Sequence, residues 1–173
     1  MRVLGIDPGS ISTGFGIVDR QGSALKSVCH GNISPGRNLP LTGRLLAISA
    51  SLKEVLEAYR PDAVSMESVF FAKNAKSAIV LGQARGAALL TVANYGVPVF
   101  EYSPTVIKLS VTGFGLAAKE DVQKMVRLLL KDNGIAGKSD ATDALAIAIC
   151  HISSSKSLAV KGEASRLTLR RPV

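Results

Sequence analysis

The chain has 173 residues, a net charge of +8, and a hydrophobic fraction of 47%. This length is typical of one domain, and the apolar content is enough for a packed core, which excludes a largely disordered chain. Its two cysteines form no CxxC or Cys/His cluster, so neither a disulfide framework nor a zinc site is indicated.

The N-terminal residues MRVLGID predict a strand and lack the layout of a signal peptide. No apolar run approaches the roughly 20 residues that a membrane helix needs. We therefore expect a cytoplasmic protein that has no membrane partner.

Three β-rich segments open the chain and predict an antiparallel meander: RVLGID, GFGIVD and LKSVCHGNIS. A helix follows, in which apolar residues recur with helical period until Pro61 ends it. The strand DAVSME, a second long helix that ends at Gly96, and the strand VPVFEY come next. This strand–helix–strand order favours parallel pairing of the first strand with DAVSME.

The rest of the chain is predicted to be helical, over Ser103–Ser110, Lys119–Lys131 and Lys138–Ser154. Together the elements predict one α/β domain over residues 1–155, in which helices flank a five-stranded mixed β-sheet. Residues 156–173 contain five basic residues and one acid. They predict a basic, flexible C-terminal tail.

The positive charge is concentrated beyond residue 68, where the chain contains 14 Lys/Arg and 7 Asp/Glu. A basic excess on one part of a domain suggests a polyanionic partner, most often nucleic acid. A surface that only keeps the protein dissolved would have the same composition, so charge alone does not decide between the two.

Four acids stand at the ends of predicted elements. Asp7 closes the first strand and Glu67 closes DAVSME, so parallel pairing would bring both to the sheet edge where α/β proteins bind ligands. Taken singly, Asp7 could start an Asx-turn and Glu67 could be a solvated strand end. Asp140 and Asp143 lie three residues apart, and on a helix such residues face the same way. A cluster of all four is the simplest common explanation.

Such a cluster predicts a site for divalent cations, because crowded carboxylates raise one another's pKa and a hard cation with oxygen ligands relieves the repulsion. Two ions about 3.5–4 Å apart would clamp the attacking and leaving oxygens of a phosphoryl displacement. With no histidine in the set, Mg²⁺ suits the site better than zinc, and Mn²⁺ should substitute for it. We expect two Mg²⁺ ions per site.

The motifs GIDPGSISTGFGIV, GQARG and SDATDALAIAI resemble those of the RuvC family of Holliday-junction resolvases, and the likeness runs from residue 2 to about residue 155. The resemblance implies an RNase H-like fold and a homodimer that nicks two opposing strands of a four-way DNA junction. Its implied products carry 5′-phosphate and 3′-hydroxyl ends, and its implied partners are the RuvA and RuvB branch-migration proteins. The metal-binding acids of the family fall on Asp7, Glu67, Asp140 and Asp143.

The resemblance also assigns roles to residues outside the acid set. Lys119 would be catalytic, stabilising charge that develops on the scissile phosphate, with Lys108 nearby. Phe70 matches the position that unstacks bases at the junction. The expected DNA-binding set is Phe70, Lys73, Lys76, Arg85, Lys108 and Lys119.

Small residues on the second long helix predict a helix-packing surface. Gly82 and Gly86 stand one turn apart and would allow another backbone to approach closely. By resemblance, this surface is the dimer interface, to which Arg85 would contribute. The alternative is that the glycines pack against the sheet of their own chain.

Three other functions fit parts of the sequence. IDPGSISTG is similar to the phosphate loop of actin-like and sugar-kinase ATPases, but those proteins need a second domain to enclose the nucleotide. A non-catalytic DNA-binding module would explain the charge and leave the acids unexplained. A nuclease that cuts RNA–DNA hybrids would share the acids, and only the VFFAK segment and the small-residue helix favour a resolvase over it.

Overall fold

The computed structural model describes residues 1–68, 75–132, 134–135 and 140–161. Its first three strands are β1 (Arg2–Asp7), β2 (Thr13–Gln21) and β3 (Ala24–Ile33). β2 pairs antiparallel with both β1 and β3, and the register of the second pair shifts at Ile17/Val18. The antiparallel meander expected from the sequence is confirmed.

Two crossover helices make the rest of the sheet parallel. Helix α1 (Leu41–Tyr59) leads to β4 (Ala63–Glu67), and helix α2 (Ala75–Asn94) leads to β5 (Val99–Tyr102). β4 pairs parallel with β1, and β5 pairs parallel with β4. The strand order is therefore β3-β2-β1-β4-β5, which confirms the five-stranded mixed sheet.

Each face of the sheet is covered by its own set of helices. On one face, Leu4 and Ile6 of β1 pack into a cluster with residues of α1 and α2. On the other face, Val3 joins a cluster built with α3 (Pro104–Thr112), α4 (Lys119–Leu130) and α5 (Asp140–Lys161). Because side chains alternate along a strand, Gly5 and Asp7 share the face of Val3.

Helix α5 lies directly on the sheet because glycines remove the side chains between them. A Cβ on Gly5 would collide with the Ala144 carbonyl oxygen, and one on Gly14 would collide with the Asp140 carbonyl oxygen. Gly5 pairs with Gly16 across β1 and β2, where a Cβ would lie 2.7 Å from Leu145. The glycines thus let the first turn of α5 reach the end of β1.

Helices α3 and α5 extend beyond the ends that the sequence predicts. Helix α3 ends at Thr112 rather than Ser110, where Gly113 adopts a left-handed φ of 79°. Helix α5 continues to Lys161, so residues 156–161 are helical, whereas their composition predicts the start of a flexible tail. No glycine or proline interrupts the chain there before Gly162. Residues 162–173 lie outside the described part. Within that part, no helix has the length and apolarity to cross a bilayer.

Candidate active site

Three acids meet at the end of β1. Asp7 is the last residue of that strand, and Asp140 and Asp143 stand in the first turn of α5. One carboxylate oxygen from each lies within 4.8 Å of the others. Glu67 ends the neighbouring strand, one residue beyond the pair Ile6–Met66, and it lines a cleft together with Asp143. The fourth acid therefore lies next to this group of three rather than within it.

Burial and the charges of the cluster strongly raise the pKa of Asp7. Burial raises its pKa to about 7, and repulsion from Asp143, Glu67 and Asp140 acts in the same direction. Burial likewise raises the pKa of Glu67, with Asp143 adding repulsion, while Lys119 and Lys108 oppose the shift. It is therefore costly for these buried carboxylates to be ionised together, and a bound cation would offset that cost.

Two lysines face the acids across a cleft of about 240 Å³. Lys119, the first residue of α4, donates from Nζ to Asp143 Oδ2 at 2.5 Å. This hydrogen bond raises the pKa of Lys119 and keeps its charge. Lys108 of α3 lines the same cleft. The structure therefore brings both lysines that the resemblance singled out to the acids.

The loop after β1 contributes a residue that the sequence analysis missed. Ser12 Oγ donates a hydrogen bond to Asp140 Oδ2. The loop is closed by Thr13, whose Oγ1 donates to the Gly9 carbonyl at 2.7 Å and accepts from the Gly9 amide at 3.2 Å. Nothing in the local sequence marks Ser12 as a site residue. Its contact with Asp140 becomes apparent only when α5 is known to lie against this loop.

Arg85 points into its own chain. Its guanidinium donates to the Glu67 carbonyl oxygen at 2.6 Å and to Glu101 Oε1 at 2.5 Å, and the side chain is 13% exposed. It therefore joins α2 to the ends of β4 and β5, next to the acids. The resemblance implies contacts of Arg85 with DNA and with a second chain. The contacts that the structure gives Arg85 are internal.

Gly82 and Gly86 face away from the sheet. A Cβ at either position would meet nothing within 4 Å, so the alternative that they pack tightly on their own sheet is wrong. Ile79 and Leu90 on the same helix are largely exposed. Lys76 is also exposed, in the first turn of α2. Phe70 and Lys73, predicted to bind DNA, lie outside the described residues.

This is an RNase H-like fold, as the resemblance implies: a mixed sheet of this order, with acids at the ends of its central strands and on the helix across them. The chain belongs to the RuvC family. The family model described as crossover junction endodeoxyribonuclease RuvC matches residues 3–151.

Individual relatives agree with this assignment. The chain is 50% identical over 154 residues to the crossover junction endodeoxyribonuclease RuvC of Geobacter metallireducens, covering 89% of this chain and 93% of the relative. The protein of the same name from Brevibacillus brevis is 46% identical over 151 residues, covering 87% and 91%. Among solved structures, T. thermophilus RuvC in complex with a Holliday junction substrate matches with a TM-score of 0.88 and 36% identity, covering 96% of this chain and 99% of that one.

Proposed function

We propose that this protein is a Holliday-junction resolvase, a homodimeric metal-dependent endonuclease that acts in homologous recombination and DNA repair. It nicks two opposing strands of a four-way junction symmetrically and leaves 5′-phosphate and 3′-hydroxyl ends. The observation that carries the proposal is the convergence of Asp7, Asp140 and Asp143 within 4.8 Å at the end of β1, in a chain of the RuvC family.

The acid set fits a hard divalent cation. Its donors are carboxylate oxygens, the ligands that Mg²⁺ and Mn²⁺ prefer. Burial, and after it repulsion from the neighbouring acids, raises the pKa of Asp7, and a bound cation would offset both effects. Asp7, Asp140 and Asp143 would hold one ion, and Glu67 would complete a second position beside Asp7. Bound there, Mg²⁺ would activate water and stabilise charge on the scissile phosphate.

The chain's own residues supply the rest of the chemistry. Lys119 would neutralise charge that develops on the phosphate, because its Nζ already reaches the acids, 2.5 Å from Asp143. Lys108, which lines the same cleft, would hold the DNA backbone. Arg85 would fix the end of β4, and with it Glu67, through its hydrogen bond to the Glu67 carbonyl.

The dimer would form through the exposed face of α2. Gly82 and Gly86 leave room there for a second backbone, and Ile79 and Leu90 supply apolar surface that solvent disfavours. An isologous contact on this helix would relate two active sites by a twofold axis, which matches the near-twofold form of a junction. Phe70, Lys73 and Lys76 would contact the junction, and RuvA and RuvB would deliver it.

A cleavage assay tests the proposal. A fluorescently labelled four-way junction and a linear duplex of the same arm sequence are each incubated with the protein in Mg²⁺, Mn²⁺ or EDTA. We expect paired nicks in the junction with either metal, none in EDTA, and an intact duplex. Asp7→Asn should abolish cleavage, whereas Glu54→Gln, on the exposed side of α1, should not. Undiminished cutting by Asp7→Asn, or equal cutting of the duplex, would overturn the proposal.

A further inference from the structure

The loop between α3 and α4 displays two large apolar side chains to solvent. Phe114 is 60% exposed and Leu116 is 77% exposed, and only Gly115 separates them. Single exposed apolar residues are common, but two large ones separated by a single glycine on one loop are the kind of feature that can mark an interaction site.

This loop is held in shape by hydrogen bonds. The Phe114 amide donates to Thr112 Oγ1 at 3.1 Å, and that hydroxyl donates to the Lys108 carbonyl oxygen at 2.8 Å. The Ala117 amide donates to the Phe114 carbonyl oxygen at 3.2 Å, which closes a turn. The backbone that carries the two apolar side chains is therefore fixed, and a partner would bind them without first having to order the loop.

The loop stands at the rim of the acid-lined cleft. A Cβ on Gly115 would lie 2.8 Å from Thr105 Cγ2, so the loop folds back onto the first turn of α3. Pro104, next to Thr105, lines the cleft together with Lys108 and Lys119. Phe114 and Leu116, on either side of Gly115, therefore belong to a loop that lies beside the wall of the cleft.

The charges around the loop indicate the kind of partner. Lys108 lies on the helix before it and Lys119 is two residues beyond its turn, and both lysines line the cleft beside which the loop lies. A partner that suits both the lysines and the apolar pair must carry anionic groups and flat apolar faces within a few ångströms of each other. A DNA strand meets this requirement, because each phosphate is followed by a sugar and a base with a π-face.

We propose that Phe114 and Leu116 form a DNA contact of their own, packing against the sugar and base of a nucleotide whose neighbouring phosphate is held by Lys108 and Lys119. The contact rests on the proposed resolvase function and extends it to the α3–α4 loop. It would position the strand in the cleft and take no part in bond cleavage. Phe114 and Leu116 are thus positioning residues.

The test uses the full chain and a four-way junction that carries 2-aminopurine beside the crossover, with binding measured in EDTA. We expect Phe114→Ala to weaken binding by about 10-fold, the loss of one stacked base. It should also remove part of the 2-aminopurine fluorescence change seen with the wild type. Phe114→Trp should retain both, because it keeps a stacking face. Leu128→Ala is the matched control, since Leu128 is 66% exposed in the last turn of α4, the end away from Lys119.

The possible outcomes separate this contact from the function on which it rests. If the wild type binds the junction and Phe114→Ala binds equally well with the same fluorescence, the contact is refuted and the resolvase function stands. If Phe114→Ala leaves DNA binding unchanged and alters the oligomeric state instead, the patch belongs to a protein interface and the proposal fails. If the wild type does not bind the junction, the proposed function fails as well.

Discussion

Asp7 ends a buried strand among three other acids, and its protonation is therefore coupled to folding. Its ordinary pKa of 3.8 is raised to about 7 in the folded chain, chiefly by burial. The folded chain consequently binds this proton more tightly than the unfolded chain does. Stability is unaffected while both states keep the proton, falls as pH rises from about 4 to about 7, and stays reduced above that range.

Asp7→Asn should remove this pH-dependent loss. In EDTA, we expect the variant and the wild type to differ little in unfolding free energy near pH 4. By pH 8 the variant should gain a few kcal/mol over the wild type. Urea unfolding at a series of pH values measures the difference. A difference that stays constant from pH 4 to pH 8 would show that Asp7 titrates normally.

The same logic does not extend to Asp143. Crowding alone suggests that Asp143→Asn would also raise the melting temperature of the metal-free protein. The structure removes this expectation, because Asp143 accepts a hydrogen bond from Lys119 and its loss would leave that ammonium without its nearest carboxylate. Sequence spacing predicted that the acids meet, and it could not indicate which of them would be paired.

Ser12 should tune the metal site through Asp140. A carboxylate that binds metal is commonly oriented by a further hydrogen bond, and Ser12 Oγ donates one to Asp140. We expect Ser12→Ala to shift the Mg²⁺ concentration that half-maximally raises the melting temperature upward by about 10-fold. Ser10→Ala in the same loop is the control, since Ser10 contacts Arg44 through its backbone carbonyl, which the substitution keeps. Equal midpoints for Ser12→Ala and the wild type would contradict this role.

At the scale of elements, the site depends on how closely α5 approaches the sheet. The strands and helices follow from periodicity and from breakers such as Pro61 and Gly96, and their order was predictable for that reason. The contact of Gly5 with the backbone of α5 was not, because a glycine in a strand gives no sign of which element lies across it. The continuation of α5 to Lys161 is not predictable for a related reason, since the basic composition of residues 156–173 indicates a tail equally well.

Alanine at two glycines should separate the packing of α5 from that of α2. Gly5→Ala places a methyl group against the Ala144 carbonyl and should destabilise the fold by about 3 kcal/mol or more. Gly82→Ala meets nothing within its own chain and should stabilise α2 by up to about 1 kcal/mol. Thermal unfolding compares the two variants at concentrations low enough to keep the chain monomeric. A similar loss of stability in the two variants would refute the assignment of the α2 glycines to an outward face.

At the scale of the whole molecule, Gly82→Ala also tests whether the chain associates through α2. If the exposed face of α2 is the twofold contact, Gly82→Ala should weaken self-association while leaving the monomer intact, because the added methyl groups hold the two backbones apart. Sedimentation velocity over a range of concentrations measures this. An unchanged dimer would assign the interface to a different surface.

The proposed dimer would have two active sites, and it leads to one prediction about the whole junction: both strands are cut within a single binding event. A supercoiled plasmid that extrudes a cruciform distinguishes the possibilities, because paired cuts release a linear molecule and single cuts leave a relaxed circle. In Mg²⁺, we expect the wild type to give linear plasmid as the first product and Asp7→Asn to give none. Relaxed circles as the persistent product, or linear plasmid from Asp7→Asn, would contradict the account of a dimeric, acid-dependent resolvase.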